Sequence, residues 1–231
     1  MKTKFPDSIA LQRQETKQTT APPPAHETVY RRLRDLILFG ELAPGQAVTI
    51  QGIAEKLNAG MTPVREAIRR LTAEGALEFQ GNRRVSVPVL SKENVKELIF
   101  ARQVIEPQLV MRATERANRL HLKKLEEIDA GLDRAIANGD VRSYLKLNYE
   151  FHSEIYGIAE APILRALADG LWLRFGPSLR VVCGRLGTQN LPDRHKEALA
   201  AMHKRDAEGA AKAMKEDVLQ GMEQVRRALS P

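Results

Sequence analysis

The chain of 231 residues carries one cysteine, Cys183, and one tryptophan, Trp172. A single thiol excludes an intrachain disulfide and fits a reducing compartment such as the cytoplasm; it reads as a small buried hydrophobe rather than a redox centre. No apolar run approaches the roughly eighteen residues that a membrane span needs, and the N-terminus lacks a hydrophobic signal core. Tandem repeats are missing, and so is any local metal motif of the HExxH kind. There is no strongly charged region either. The formal charge is +7, but residues 1–25, 26–90 and 91–231 carry only +2, +2 and +3. A polyanionic partner must therefore be recognised by where the cations sit, not by their total.

What is present is a segment with a clear helical rhythm, GMTPVREAIRRLTAEG, Gly60 to Gly75. Val64, Ala67, Ile68 and Leu71 recur at i, i+3, i+4 and i+7, an apolar stripe at helical spacing. Thr62 is a candidate N-cap and Pro63 suits the first helical position. Thr62, Arg65 and Arg69 fall on the opposite side. Such a face fits a DNA major groove, where arginine forks onto guanine O6 and N7. Upstream, Val29, Leu33, Leu36 and Ile37 predict a first helix ended by Gly40. After the Ala43-Pro44-Gly45 turn, Thr49 caps a short second helix with Ile50, Ile53, Ala54 and Leu57 on one face. Downstream, Leu77, Phe79, Val85 and Val87 alternate with polar residues around Gly81-Asn82-Arg83-Arg84, a small hairpin with a basic tip. Residues 1–25 are polar and end in a proline run, which predicts a disordered tail.

From Ser91 onward the pattern is helical. Ser91 caps a helix through Val95, Leu98, Ile99, Arg102, Ile105 and Leu109, with Pro107 expected to kink or interrupt it. Further helices are expected at about 122–138, 141–158, 162–175, 177–185, 193–205 and 207–228. Gly139-Asp140, Glu160-Ala161-Pro162, Gly176-Pro177 and 187–192 are the expected breaks. The predicted fold class is mainly α: a winged helix-turn-helix of three helices plus a β-hairpin wing over 26–90, joined to an all-α antiparallel bundle of six to seven helices over 91–231.

The pieces ILFGELAPGQ, IAEKL and TPVREAIRRLTAEG, followed by the Gly81-Asn82-Arg83 wing, resemble the winged helix-turn-helix of GntR-type bacterial transcription regulators. The order ARQVIEP, LNYEFHSEIY, LWLRFGP, DRHKEALAAMHKRDAEGAAKAMKEDV resembles the FCD-type effector domain joined to such heads in the FadR-like branch. The resemblance implies that Arg65 reads a base, that Thr62 and Arg69 touch phosphates or neighbouring bases, and that Gly81 to Arg84 reach the minor groove or backbone. Met61 and Gln51 are further DNA-contact candidates. The family usually has Ser or Thr where Gly60 stands, often a polar residue where Met61 stands, and Glu or Arg near Gln51. A homodimer on a pseudo-palindromic operator is implied, in a bacterial cytoplasm and without a membrane partner.

The same resemblance implies a divalent-metal site in the bundle, usually one Asp and three His. Here the matching positions are Asn148, His152, His195 and Asp217. Asn148 and His152, four apart, share a helix face. Two imidazoles, a carboxylate and an amide oxygen suit Zn, Ni or Mn. The alternative is a metal-free polar pocket in which the two histidines meet an effector directly. Arg102 is read either as paired with Glu106 one turn on, or as a clamp on the carboxylate of a small organic-acid or sugar-acid effector. Tyr149, Tyr156, Trp172, Arg174 and Arg185 are secondary pocket candidates, with Trp172 equally at home in the core. His121 and His203 read as surface residues and His26 as linker. Two other functions stay open: a metalloenzyme in which His152, His195 and Asp217 activate water, and an architectural DNA-binding dimer without effector control.

Overall fold

The computed structural model describes residues 24–80, 84–186 (backbone alone at 184–186) and 193–228. Most of the expected tail, the wing tip Gly81-Asn82-Arg83, the side chain of Arg185 and the 187–192 break lie outside them. The head is built from α1 (Ala25–Leu38), β1 (Ala47–Val48), α2 (Ile50–Leu57), α3 (Met61–Ala73), β2 (Glu78–Gln80) and β3 (Arg84–Ser86). Six helices follow: α4 (Lys92–Arg116), α5 (Arg119–Ala137), α6 (Val141–Ile158), α7 (Pro162–Leu186), α8 (Arg194–His203) and α9 (Ala207–Ala228).

The apolar stripes become the head's core. Val29, Leu33 and Ile37 of α1, Ile53 and Leu57 of α2, and Val64, Ala67, Ile68 and Leu71 of α3 are all buried. Thr49 caps α2 by accepting from the Gly52 amide at 3.1 Å. α3 starts two residues earlier than expected: Gly60 is at the N-cap and Thr62 lies inside the first turn, so it is not the cap. Pro63 is tolerated there because the first amides of a helix have no intrahelical acceptor. His26 lies in α1, not in a linker. The wing is a three-stranded sheet of order β1-β3-β2, with Val48 and Phe79 each opposite Val85. The two-residue β1 was not foreseen, since a strand that short has no readable period. Phe79, expected in the alternating core set, is 68% exposed, whereas Leu77, Val85 and Val87 are buried.

In the bundle, Ser91 and Asn94 form a capping box that starts α4, and Asn118 with His121 does the same for α5. α4 runs unbroken across Pro107, held by its packing on α6, α7 and α9. The expected break at Gly176-Pro177 is likewise absent, and α7 is one helix of 25 residues. A proline disfavours a helical predecessor by pressing on its Cβ. Gly176 has none.

That glycine also lets head and bundle touch backbone to backbone. A Cβ on Gly176 would strike the Leu38 carbonyl oxygen at the end of α1, with the Leu38 carbonyl carbon at 3.2 Å and Cδ1 at 3.3 Å. Around this point Arg34 donates to the Tyr149 hydroxyl at 2.8 Å, which in turn donates to Asp169 at 3.0 Å. Arg142 pairs with Glu41 at 2.8 Å.

Candidate functional site

The outer face of α3 is polar and unobstructed. Arg65, Arg69, Thr62 and Met61 are exposed, as is Gln51 on α2. The Arg69 side chain is 80% exposed and only loosely tied, by an i, i+3 contact to Glu66 at 2.9 Å. Gln51 bonds Glu55 at 3.1 Å. A third arginine on the helix, Arg70, is half exposed but tied to α1. Its guanidinium stacks 3.6 Å from the centre of the Tyr30 ring and bonds Glu74 at 3.0 Å and Glu27 at 3.1 Å. The Tyr30 hydroxyl donates to Glu74 at 2.8 Å, and burial followed by that carboxylate pushes its pKa up to about 12. This brace fixes α3 to α1 and so sets the direction in which Arg65 and Arg69 point. Tyr30 was missed in the sequence, because its partner Glu74 lies 44 residues away.

In the bundle, α6, α8 and α9 bring His152, His195 and Asp217 together, with one donor atom from each within 4.8 Å of the others. His152 Nε2 lies 3.2 Å from Asp217 Oδ2, and His195 Nε2 lies 3.6 Å from Asp217 Oδ1. Neither contact meets hydrogen-bond geometry, and both nitrogens are buried without a hydrogen-bond partner. Two orphaned imidazole nitrogens converging on one carboxylate are what a cation would satisfy. The buried Asn148 lines the same cavity of about 110 Å³ as His195 and Asp217. Burial would raise the Asp217 pKa, but the imidazoles of His195 and His152 and the guanidinium of Arg102 hold it down at about 2. Burial drives His195 down to about 4, against the pull of Asp217, so its ring is neutral. The Phe151 ring stacks on it at 4.1 Å.

Arg102 is fully enclosed and bonds Glu106 through two guanidinium nitrogens, while its plane covers Phe175 at 4.0 Å and Trp172 at 4.9 Å. Of its two expected roles the structure shows the pair with Glu106. Glu106 then reaches His152, with Oε2 at 3.1 Å from Nδ1. Trp172 is core: its Nε1 donates to the Tyr156 hydroxyl at 3.1 Å. Tyr149 does not enter the cavity with Asn148. One residue is a turn of about 100° on a helix, which swings Tyr149 round to Arg34 of the head. Arg174 is also outside, exposed in a cleft of about 640 Å³ between head and bundle, beside Gly75. Cys183 is buried as expected. His203 is a surface residue bonded to Glu126. His121 caps α5.

Residues 25–87 match the bacterial regulatory proteins of the gntR family, and residues 97–220 match the FCD domain. The chain belongs to the GntR family. The HTH-type transcriptional regulator McbR of Escherichia coli K12 is 29% identical over 193 residues, covering 82% of this chain and 87% of its own. The repressor RspR of the same strain is 24% identical over 211 residues, 91% of this chain and 92% of its own. The solved structure of E. coli McbR/YncC superposes with a TM-score of 0.83 at 27% identity, covering 89% of this chain and 98% of that one. A Rhodococcus protein with a TM-score of 0.72 and 23% identity shares the fold. This GntR protein is thus a DNA-binding transcriptional regulator and not an enzyme, like the regulators it resembles. Among its described residues no helix is long and apolar enough to cross a membrane.

Proposed function

We propose that this regulator reads an operator with Arg65 and Arg69, and that a small carboxylate bound in the bundle controls its grip. The carrying observation is the outward set of Arg65, Arg69 and Thr62 on a helix braced from behind by Tyr30, Glu74 and Arg70. Arg65 forks onto a base edge; Arg69, Thr62, Met61 and Gln51 position the helix on neighbouring bases and phosphates. The wing residues Gly81, Asn82 and Arg83 reach the adjoining groove or backbone.

Two copies bind the halves of a pseudo-palindromic site. Among the described residues, five of the nine exposed large hydrophobic side chains, Val89, Phe100, Val104, Ile163 and Leu167, flank the paired helices α4 and α7, and this supports a self-associating face there. Relatives such as RspR are named repressors, which favours repression.

For control, the donor set suits Zn, Ni or Mn on His152, His195, Asp217 and the amide oxygen of Asn148. Such an ion, when bound, supplies a point charge for a carboxylate oxygen, because Arg102 and Glu106 neutralise each other and Asp217 is the one anion left in the set. The cavity of about 110 Å³ is small beside the roughly 300–1,000 Å³ of drug-sized pockets, which favours a short organic acid over a sugar acid. The effector must prefer one arrangement of head and bundle; equal affinity for both would shift nothing.

The test is Arg65→Ala. Specific operator binding is lost in a footprint while the circular-dichroism melt stays as wild type. A normal footprint from a folded variant would overturn the assignment of α3. An architectural protein without effector control would show unchanged operator affinity across a panel of short carboxylates.

A further inference from the structure

We infer that Glu106, backed by Arg102, is the residue that aims His152 into the metal site. The inference rests on the metal-site reading above. Glu106 and His152 stand on different helices, α4 and α6, and meet in the interior with no solvent contact. Oε2 of Glu106 faces Nδ1 of His152 at 3.1 Å, and the other ring nitrogen, Nε2, faces Asp217. A carboxylate can only accept, so the proton on this edge of the ring sits on Nδ1. Nε2 is then the ring nitrogen that meets a cation bound beside Asp217. Metal-bound histidines commonly have such a carboxylate behind them, which fixes both tautomer and ring angle.

Arg102 makes this arrangement possible. A lone carboxylate buried there would be costly, and it could take up a proton and then donate to the ring instead of accepting. The guanidinium bonds both oxygens of Glu106, one of them at 3.3 Å, and keeps it an acceptor. Arg102 therefore acts two residues removed from the site, by way of Glu106 and His152, and does not clamp the ligand.

The mechanism gives a sharp expectation for Glu106→Gln. Arg102 will claim the amide oxygen, which turns the NH2 group toward His152. The ring must then accept at Nδ1 and carry its proton on Nε2, where it blocks the cation. Because this variant leaves Arg102 without a counter-charge, a second variant, Arg102→Met with Glu106→Leu, removes both charges and keeps the volume.

The experiment uses the full chain stripped with chelator, then titrated with Zn²⁺ against a chromophoric competitor. Long-range ¹⁵N–¹H correlation of the His152 ring is the second readout. The wild type is expected to bind Zn²⁺ with its proton on Nδ1, and both variants to bind about 10- to 100-fold more weakly. Glu106→Gln is further expected to show the proton on Nε2. If the wild type binds Zn²⁺ and both variants match it within about threefold, the positioning role is overturned and the site reading stands. If the wild type binds none of Zn²⁺, Ni²⁺ or Mn²⁺, both fall.

Discussion

Replacing Gly176 with alanine sets two physical effects against each other. Inside a helix, alanine is favoured over glycine by roughly 1 kcal/mol, so propensity alone makes the variant more stable. The added methyl, however, points at the Leu38 carbonyl, with two further Leu38 atoms at 3.2 and 3.3 Å. Carbon atoms pack best at roughly 3.5–4.0 Å. A backbone carbonyl cannot rotate away as a side chain would, so α1 and α7 must part by about 1 Å. Overpacking of this kind costs about 1–3 kcal/mol. The parting also stretches the Arg34–Tyr149–Asp169 and Arg142–Glu41 links at the same interface. The expected result is a bundle that keeps its helicity and a head that is no longer seated on it. The sole tryptophan, Trp172, is buried in the bundle and reports chiefly on that half. Urea unfolding followed by its fluorescence should separate from unfolding followed by far-ultraviolet circular dichroism, and proteolysis near Phe39 to Gly45 should accelerate. A variant that is about 1 kcal/mol more stable, with superimposed transitions and unchanged cleavage, would refute the backbone-to-backbone contact.

Three further outcomes are expected. Gly60→Ser should raise stability by a few tenths of a kcal/mol, because Gly60 is an N-cap with extended backbone and its nearest obstacle to a Cβ is Pro63 Cδ at 3.6 Å; an unchanged or lower melting temperature would contradict this. Phe100→Glu places a charge on the exposed α4 face and should shift light-scattering mass from dimer toward monomer, with weaker operator binding; an unaltered mass would move the pairing face elsewhere. Adding Zn²⁺ at about a hundred times its dissociation constant to stripped protein should stabilise it by about 2.7 kcal/mol, read as a melting-temperature rise that chelator reverses; no rise would argue for the metal-free pocket.

The head was legible because its information is local. Each of α1, α2 and α3 buries a stripe that recurs at helical spacing, and the residues left over on α3 are the ones that face outward. The bundle site was a different matter. Spacing alone places Asn148 and His152 together, but His195 and Asp217 join them from other helices, and only the family resemblance brought the four into one set. Glu106 was read as a partner for Arg102 because the two are four apart; its contact with His152, 46 residues on, has no local signature. At Pro177 the general rule for proline misled, because it was applied without the glycine that precedes it. Tyr149 lies away from the Asn148 cavity for a rotational reason: neighbouring positions on a helix do not share a side.

The rotation from Asn148 to Tyr149 ties the cavity to the head through one helix. Asn148 lines the bundle cavity, and the very next residue holds Arg34 of the head. A helix is a stiff rod about 5–6 Å in radius, so a roll of ten degrees about its axis sweeps its rim by about 1 Å. That is enough to break or remake a hydrogen bond. On the control proposed above, α6 would serve as an axle: a torque applied to it at Asn148 would be delivered at Tyr149 in the same motion, with no long chain of intermediaries.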